Sequence, residues 1–100
     1  MKIGIDIVDV DRVIPRQVFS NHELEYIHGK GITADQTAAG LFAAKEAYFK
    51  ALGTGIQISK LSEIEICHSE LGTPYYKNNP HATLSISHTE KIAVAVCILI

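Results

Sequence analysis

Massed positive charge, long apolar runs and clustered cysteines are all missing from this chain, and each absence removes a class of function. Lysine and arginine number 9 against 11 aspartates and glutamates, for a formal charge of −2 at pH 7, and the basic residues are scattered. Without a basic face to neutralise successive phosphates, nucleic acid is not an expected partner. No segment reaches the length of a membrane span, and no basic N-terminal region precedes a long apolar run. The chain therefore reads as cytoplasmic, with no membrane partner. The 2 cysteines, Cys67 and Cys97, lack C-x-x-C spacing and lie in strand-like apolar segments, which predicts buried free thiols. Repeats and low-complexity tracts are absent, as is the G-x-S-x-G turn of a serine hydrolase.

What is present fits a single domain over residues 1–100, with 47% of the side chains hydrophobic and 20% charged. A domain of this size buries a smaller fraction of its surface than a large one. The apolar surplus therefore predicts an oligomer whose interface completes the core.

The rest is arranged around the stretch Phe42 to Gly55, FAAKEAYFKALGTG. Read as a helix at about 100° per residue, it gathers Leu41, Phe42, Tyr48, Phe49 and Leu52 on one apolar arc with Lys45 near its middle. A lysine there must snorkel out or meet an anion. Gly40, Ala43, Ala44, Ala47 and Ala51 leave the opposite side small enough for another backbone to approach, so the helix is expected to be covered on both sides. Glu46 and Lys50 at i, i+4 make an ordinary helix-surface pair. A ligand role competes with that reading, because Gly53-Thr54-Gly55 follows, with two glycines that permit φ > 0 and close backbone approach. Two cations, a carboxylate and a glycine loop suit a phosphate held with a metal ion.

Taken in order, Lys2 to Val8 alternates Ile3, Ile5 and Ile7 with Gly4, Asp6 and Val8, a strand whose aspartate needs a donor or a cation to offset desolvation. A structural capping aspartate is the alternative. Val8 to Ile14 reads as a short helix or extended turn stopped by Pro15, with Asp9 or Asp11 as N-cap. Ser20-x-x-Glu23 is a capping box opening a helix to about His28, and Thr33-x-x-Gln36 is a second box that starts the central helix, Ala34 to Leu52. Lys30, in the glycine-rich link between them, is a cation of no assigned use.

Beyond Gly55 the period becomes two: Glu63 to Cys67, a turn at Glu70 to Pro74, a return strand at Tyr75-Tyr76, then Thr83 to His88. A tight turn at Thr89-Glu90-Lys91 leads into Ile92 to Ile100, expected to be buried on both faces. The fold class is α+β, an antiparallel sheet packed on one long helix. Ser87 and His88 invite a nucleophile-and-base reading, but adjacent residues of a strand face opposite ways. His22, His28, His68 and His81 lack metal-ligand spacing and read as loop or surface residues.

Together GIDIVDVDRV, FAAKEAYFKALGTGI, IEICHSELGTP and LSISHT resemble, in order and over nearly the whole chain, the holo-acyl-carrier-protein synthase family of phosphopantetheinyl transferases. The resemblance implies magnesium-dependent transfer of the phosphopantetheine arm of coenzyme A to a serine of an apo acyl carrier protein, releasing adenosine 3′,5′-bisphosphate. Asp6 and Glu46 match the metal-binding acids, and Lys50 would face the pyrophosphate. The Gly53-Thr54-Gly55 turn and Lys45 would meet the coenzyme, with Ser87 and His88 near its nucleotide end. Arg12 matches a position that touches the acidic helix of the carrier. The family's assembly implies a homotrimer with active sites between subunits.

Three departures from the family stand out. Asp9 replaces the usual glutamate, Leu41 replaces the arginine before Phe42, and only Lys77 to Ala82 stand where the family carries a helix between the C-terminal strands. They leave open a second function, a carrier-protein- or coenzyme-binding module of the same fold with little turnover.

Overall fold

The computed structural model describes residues 1–100. Five strands and two α-helices form it: β1 (Lys2–Asp9), α1 (Asn21–His28), α2 (Ala34–Leu52), β2 (Ile66–His68), β3 (Pro74–Tyr76), β4 (Ala82–His88) and β5 (Ile92–Leu99), with short 3-10 segments between. β1, β5 and β4 make an antiparallel sheet in that spatial order, and β2 and β3 make a separate hairpin. The expected α+β class, the alternation of β1 and β4 and both ends of the central helix are observed, while the strand expected over Glu63 to Cys67 is shifted to Ile66–His68 because a 3-10 segment occupies Ile58–Glu63. No helix is long and apolar enough to cross a membrane.

The sheet lies on α2 because the small residues on both sides allow it. In β1 the buried positions are Gly4, Asp6 and Val8, while Ile3, Ile5 and Ile7 are exposed. A Cβ on Gly4 would stand 2.0 Å from the Ala47 carbonyl oxygen, so only glycine admits this contact between strand and helix backbones. The other side of α2 carries Leu41, Phe42 and Phe49 into a core shared with Val18, Ile27, Leu61, Ile66 and Tyr76. The Tyr76 hydroxyl donates to the Ala44 carbonyl oxygen at 2.7 Å. α2 is thus covered on both sides. Gly53 ends it in the left-handed conformation at φ 77°, its N–H bonded to the Phe49 and Lys50 carbonyl oxygens.

Ser20 and Glu23 form the expected box: Glu23 N–H donates to the serine hydroxyl at 3.2 Å, and Ser20 N–H donates to Glu23 Oε1 at 2.9 Å. Three further expectations fail. Thr33 does not cap α2, because the 3-10 segment Gly31–Thr33 runs directly into the helix and the threonine hydroxyl donates back to the Lys30 carbonyl oxygen instead. Neither Asp9 nor Asp11 caps a helix, since the Val10 N–H is held by the Lys91 carbonyl oxygen and the chain after β1 turns without one. In β5, only Ala93, Ala95 and Cys97 are fully buried, while Val94, Val96 and Ile98 are half-buried. One helix layer covers one face of the sheet, and nothing in the chain covers the other.

Both cysteines are free, Cys97 in the core and Cys67 half-buried. The link from β3 to β4 is a turn without helix, closed by Ala82 N–H on the Asn79 carbonyl oxygen and by His81 N–H on the Asn79 side chain.

Candidate active site

Alternation along β1 and the period of α2 bring Asp6, Glu46 and Lys50 together. Lys50 Nζ donates to Asp6 Oδ1 at 2.8 Å. The ordinary surface pairing of Glu46 with Lys50 is therefore not what forms, and Asp6 has found the cation that its burial demands. Arg12 Nη1 stands 3.9 Å from Glu46 Oε1, close enough for charge attraction and too far for a hydrogen bond. Its guanidinium also lies 4.8 Å from the centre of the Phe42 ring, a cation–π contact.

Asp6 Oδ2 and Glu46 Oε1 are both buried with no hydrogen-bond partner. Buried carboxylate oxygens are normally satisfied, so these two are free to accept from a further donor or to hold a cation. Burial first, then the Asp6 carboxylate, raises the Glu46 carboxyl above its ordinary range, opposed by Arg12 and Lys50. No group of three histidine, cysteine or acidic side chains converges anywhere. That donor set fits magnesium, which takes one or two carboxylates and completes its shell with substrate oxygens and water.

At the C-terminal end of α2, Gly53 and Gly55 hold φ of 77° and 78°, and a Cβ on either would meet nothing within 4 Å. The turn is open, with Thr54 exposed between them.

A concavity of about 280 Å³ lies along the N-terminal half of α2, where His88, Lys30, Tyr26, His68, Gly40 and Leu41 are among its walls. Tyr26 and His68 stack with ring centroids 3.9 Å apart and planes 6° from parallel, and Lys30 Nζ lies 4.6 Å from the Tyr26 ring centre. Burial first, then the charges of Lys30 and His22, lowers the His68 pKa. His88 Nδ1 lies 3.2 Å from the Thr89 carbonyl oxygen, to which it donates when protonated. Counted along α2 from Gln36 to Gly53, the cleft and the glycine turn are roughly 25 Å apart at about 1.5 Å per residue.

The expected coenzyme residues therefore divide. Lys50 sits with the acids, Gly53, Thr54 and Gly55 follow it at the end of α2, and His88 sits in the cleft along the helix's N-terminal half. Ser87, which pairs with Val94 on the outer sheet face, opens to neither. Lys45 leaves the set altogether. It has no exposed surface and spends its three donors on Glu23 Oε1 at 2.7 Å and the Leu61 and Ile64 carbonyl oxygens at 2.9 and 2.8 Å. Burial lowers its pKa, against the opposing effect of Glu23. The lysine in the apolar arc does meet an anion, and that anion belongs to the chain.

The family model of the 4′-phosphopantetheinyl transferase superfamily matches residues 2–97. The chain belongs to this superfamily. It is 34% identical to the holo-[acyl-carrier-protein] synthase of Fusobacterium nucleatum over 119 residues, covering 98% of this chain and 97% of that protein. The holo-(acyl-carrier-protein) synthase of Bacillus anthracis, crystallised in complex with CoA (3′,5′-ADP), superposes with a TM-score of 0.87 at 35% identity, over 98% of this chain and 94% of that one. The Helicobacter pylori synthase in complex with coenzyme A superposes with a TM-score of 0.78 at 30% identity, over 98% and 99% of the two chains. As a phosphopantetheinyl transferase the chain is an enzyme. The 119 aligned positions exceed the residues this transferase can supply, so the Fusobacterium protein carries residues absent here.

Sequence reasoning missed the cleft wall. His68 read as a surface residue and Lys30 had no use, while Tyr26 was not singled out. The Tyr26–His68 stack pairs residues 42 positions apart, and no local pattern announces it. Glu23 was legible as a cap, and only its full burial shows its further partner.

Proposed function

We propose that residues 1–100 act as one domain that transfers the 4′-phosphopantetheine arm of coenzyme A to a serine of an apo acyl carrier protein, releasing adenosine 3′,5′-bisphosphate. The observation that carries this is the pair of facing acids, Asp6 and Glu46, each with a buried orphan oxygen, beside Lys50 and an open glycine turn. Asp6 and Glu46 would hold magnesium, which when bound neutralises charge on the phosphoryl group in flight. The serine oxygen forms the new bond to phosphorus as the pyrophosphate P–O bond breaks, adenosine 3′,5′-bisphosphate leaves with the electron pair of that bond, and the serine proton passes to solvent water. Lys50 supplies a fixed cation at the pyrophosphate. The turn from Gly53 to Gly55 lets the backbone approach the coenzyme, and His88 with Lys30 receives its nucleotide end. Arg12, half exposed, is available to the acidic helix of a carrier protein.

The active assembly is a homotrimer with its sites at the subunit junctions. Ile3, Ile5 and Ile7 are 67%, 59% and 65% exposed, and with Val94 and Val96 they make an apolar face of the kind that marks an interface. A neighbouring subunit would bring the cleft of one chain to the acids of the next, and Ser87, on that outer face, would contact the coenzyme from across the junction. The setting is the cytoplasm, where free thiols such as Cys67 and Cys97 persist.

The test is the intact mass of an apo carrier protein after incubation with this protein, coenzyme A and magnesium, beside a chelator control. A gain of one phosphopantetheine arm, abolished by chelator and by Asp6→Ala or Glu46→Ala, is the expected result. Full activity in both variants would sink the metal assignment. A binding module with little turnover is the second reading, favoured by the short link from β3 to β4 and by Leu41; saturable carrier binding without product would establish it.

A further inference from the structure

Glu23 is fully buried and ties three elements together. From α1 its Oε1 accepts the Ser20 N–H and the Lys45 ammonium of α2, and its Oε2 accepts the Ile66 N–H of β2 at 2.9 Å. Tyr26 lies one turn further along α1 from Glu23, and His68 lies two residues beyond Ile66 on the same face of β2. The separation of α1 and β2, on which the 3.9 Å stack of Tyr26 on His68 depends, is thus set by the carboxylate that bridges them. Stability does not by itself account for the pair, because buried ion pairs exchanged for apolar residues of similar size are often neutral or more stable.

We propose that Glu23, held by Lys45, is a positioning residue that fixes the Tyr26–His68 wall of the cleft and thereby sets affinity for the nucleotide end of coenzyme A. This rests on the assignment of that cleft to the coenzyme. Neither residue touches the substrate; each acts through the backbone of β2 and the first turns of α1.

Two double variants separate position from stability. In Glu23→Gln/Lys45→Met the single amide oxygen takes the Ile66 N–H and releases the Ser20 N–H of the box, so the α1–β2 bridge and the wall stay in place. In Glu23→Met/Lys45→Met that acceptor is gone. The readouts are KM for coenzyme A, kcat, melting temperature, and the Kd of adenosine 3′,5′-bisphosphate by calorimetry. The Met/Met protein is expected to show KM and Kd raised by about tenfold, as small displacements of binding groups do, with kcat little changed. The Gln/Met protein is expected to match wild type. Equal KM in the two double variants overturns the inference.

Should Met/Met not fold, Glu23→Gln alone carries the test, because the Lys45 ammonium, the Ser20 N–H and the Ile66 N–H then compete for a single amide oxygen. KM should rise in that variant and return on adding Lys45→Met, and an unmoved KM overturns the inference. Wild-type protein that neither transfers the arm nor binds the bisphosphate would refute the coenzyme assignment and the positioning role with it. Active wild type with unmoved KM in the variants refutes the positioning role alone.

Discussion

Gly4→Ala places one methyl group between β1 and α2, and its cost follows from distances. The added carbon would stand 2.0 Å from the Ala47 carbonyl oxygen, 2.6 Å from the Ala51 nitrogen and 3.1 Å from the Ala47 carbonyl carbon, well inside van der Waals contact. Overpacking costs about 1–3 kcal/mol. The opposing atoms here are helix backbone, which cannot rotate aside, so the cost falls at about 3 kcal/mol, the upper end. A domain of this size loses about 4–8 °C of melting temperature per kcal/mol, which gives a fall of roughly 12–24 °C. The strand must also move away from the helix, and Asp6, two residues along the same face, moves with it. Its 2.8 Å contact with Lys50 is lost, and carrier-protein modification falls beyond what unfolding explains. Thermal denaturation by circular dichroism, with intact-mass transfer assays well below the transition, measures both effects. Gly53→Ala is the control, since its new methyl meets nothing within 4 Å and the left-handed φ alone costs roughly 1–2 kcal/mol. A Gly4→Ala protein that melts within a few degrees of wild type and keeps full transfer would refute the close-packing account of the β1–α2 contact.

Other outcomes follow from single contacts. The Glu46 carboxyl is raised above its ordinary value of 4.5, so between its unfolded and folded pKa values the folded state binds more protons and stability falls as pH rises. Glu46→Gln therefore raises the melting temperature of the metal-free protein at pH 7, gives no gain below that window, and removes any stabilisation by added magnesium. A pH-independent gain would count against it. Tyr76→Phe deletes the buried bond to the Ala44 carbonyl oxygen and costs about 1 kcal/mol in denaturant titration. A neutral effect would show that the bond adds nothing. Ser20→Ala removes the hydroxyl half of the α1 box and costs about 1 kcal/mol; since Glu23 Oε1 keeps the Ser20 N–H, KM for coenzyme A should not change.

Local pattern made much of this transferase legible. Alternation in β1 singled out Asp6 as an acid needing a donor or a cation, the helical period placed Glu46 at the edge of the apolar arc of α2 with Lys50 one turn beyond, and the glycines after Leu52 marked its end. These features depend on residues within a few positions of one another, where stereochemistry leaves few choices. The resemblance to the synthases joined them into one site. Lys45 shows where such inference stops. Its place in an apolar arc required an anion, but whether that anion was a ligand or a side chain of α1 depended on how α1 packs on α2. Burial of both groups, with four further polar contacts converging on the pair, settled it in favour of Glu23.

The sequence by itself determined the order and type of the elements, the two acids and the glycine turn, because periodicity and turn chemistry act over short distances. Only the tertiary structure decided that Lys50 serves Asp6 rather than Glu46 and that Lys45 is spent inside the chain. It alone showed that the sheet keeps an uncovered apolar face and that the cleft lies along the N-terminal half of α2 while the glycine turn closes its other end. Those outcomes depend on which surfaces meet across dozens of residues, where desolvation and close packing select among partners that local sequence leaves equally available.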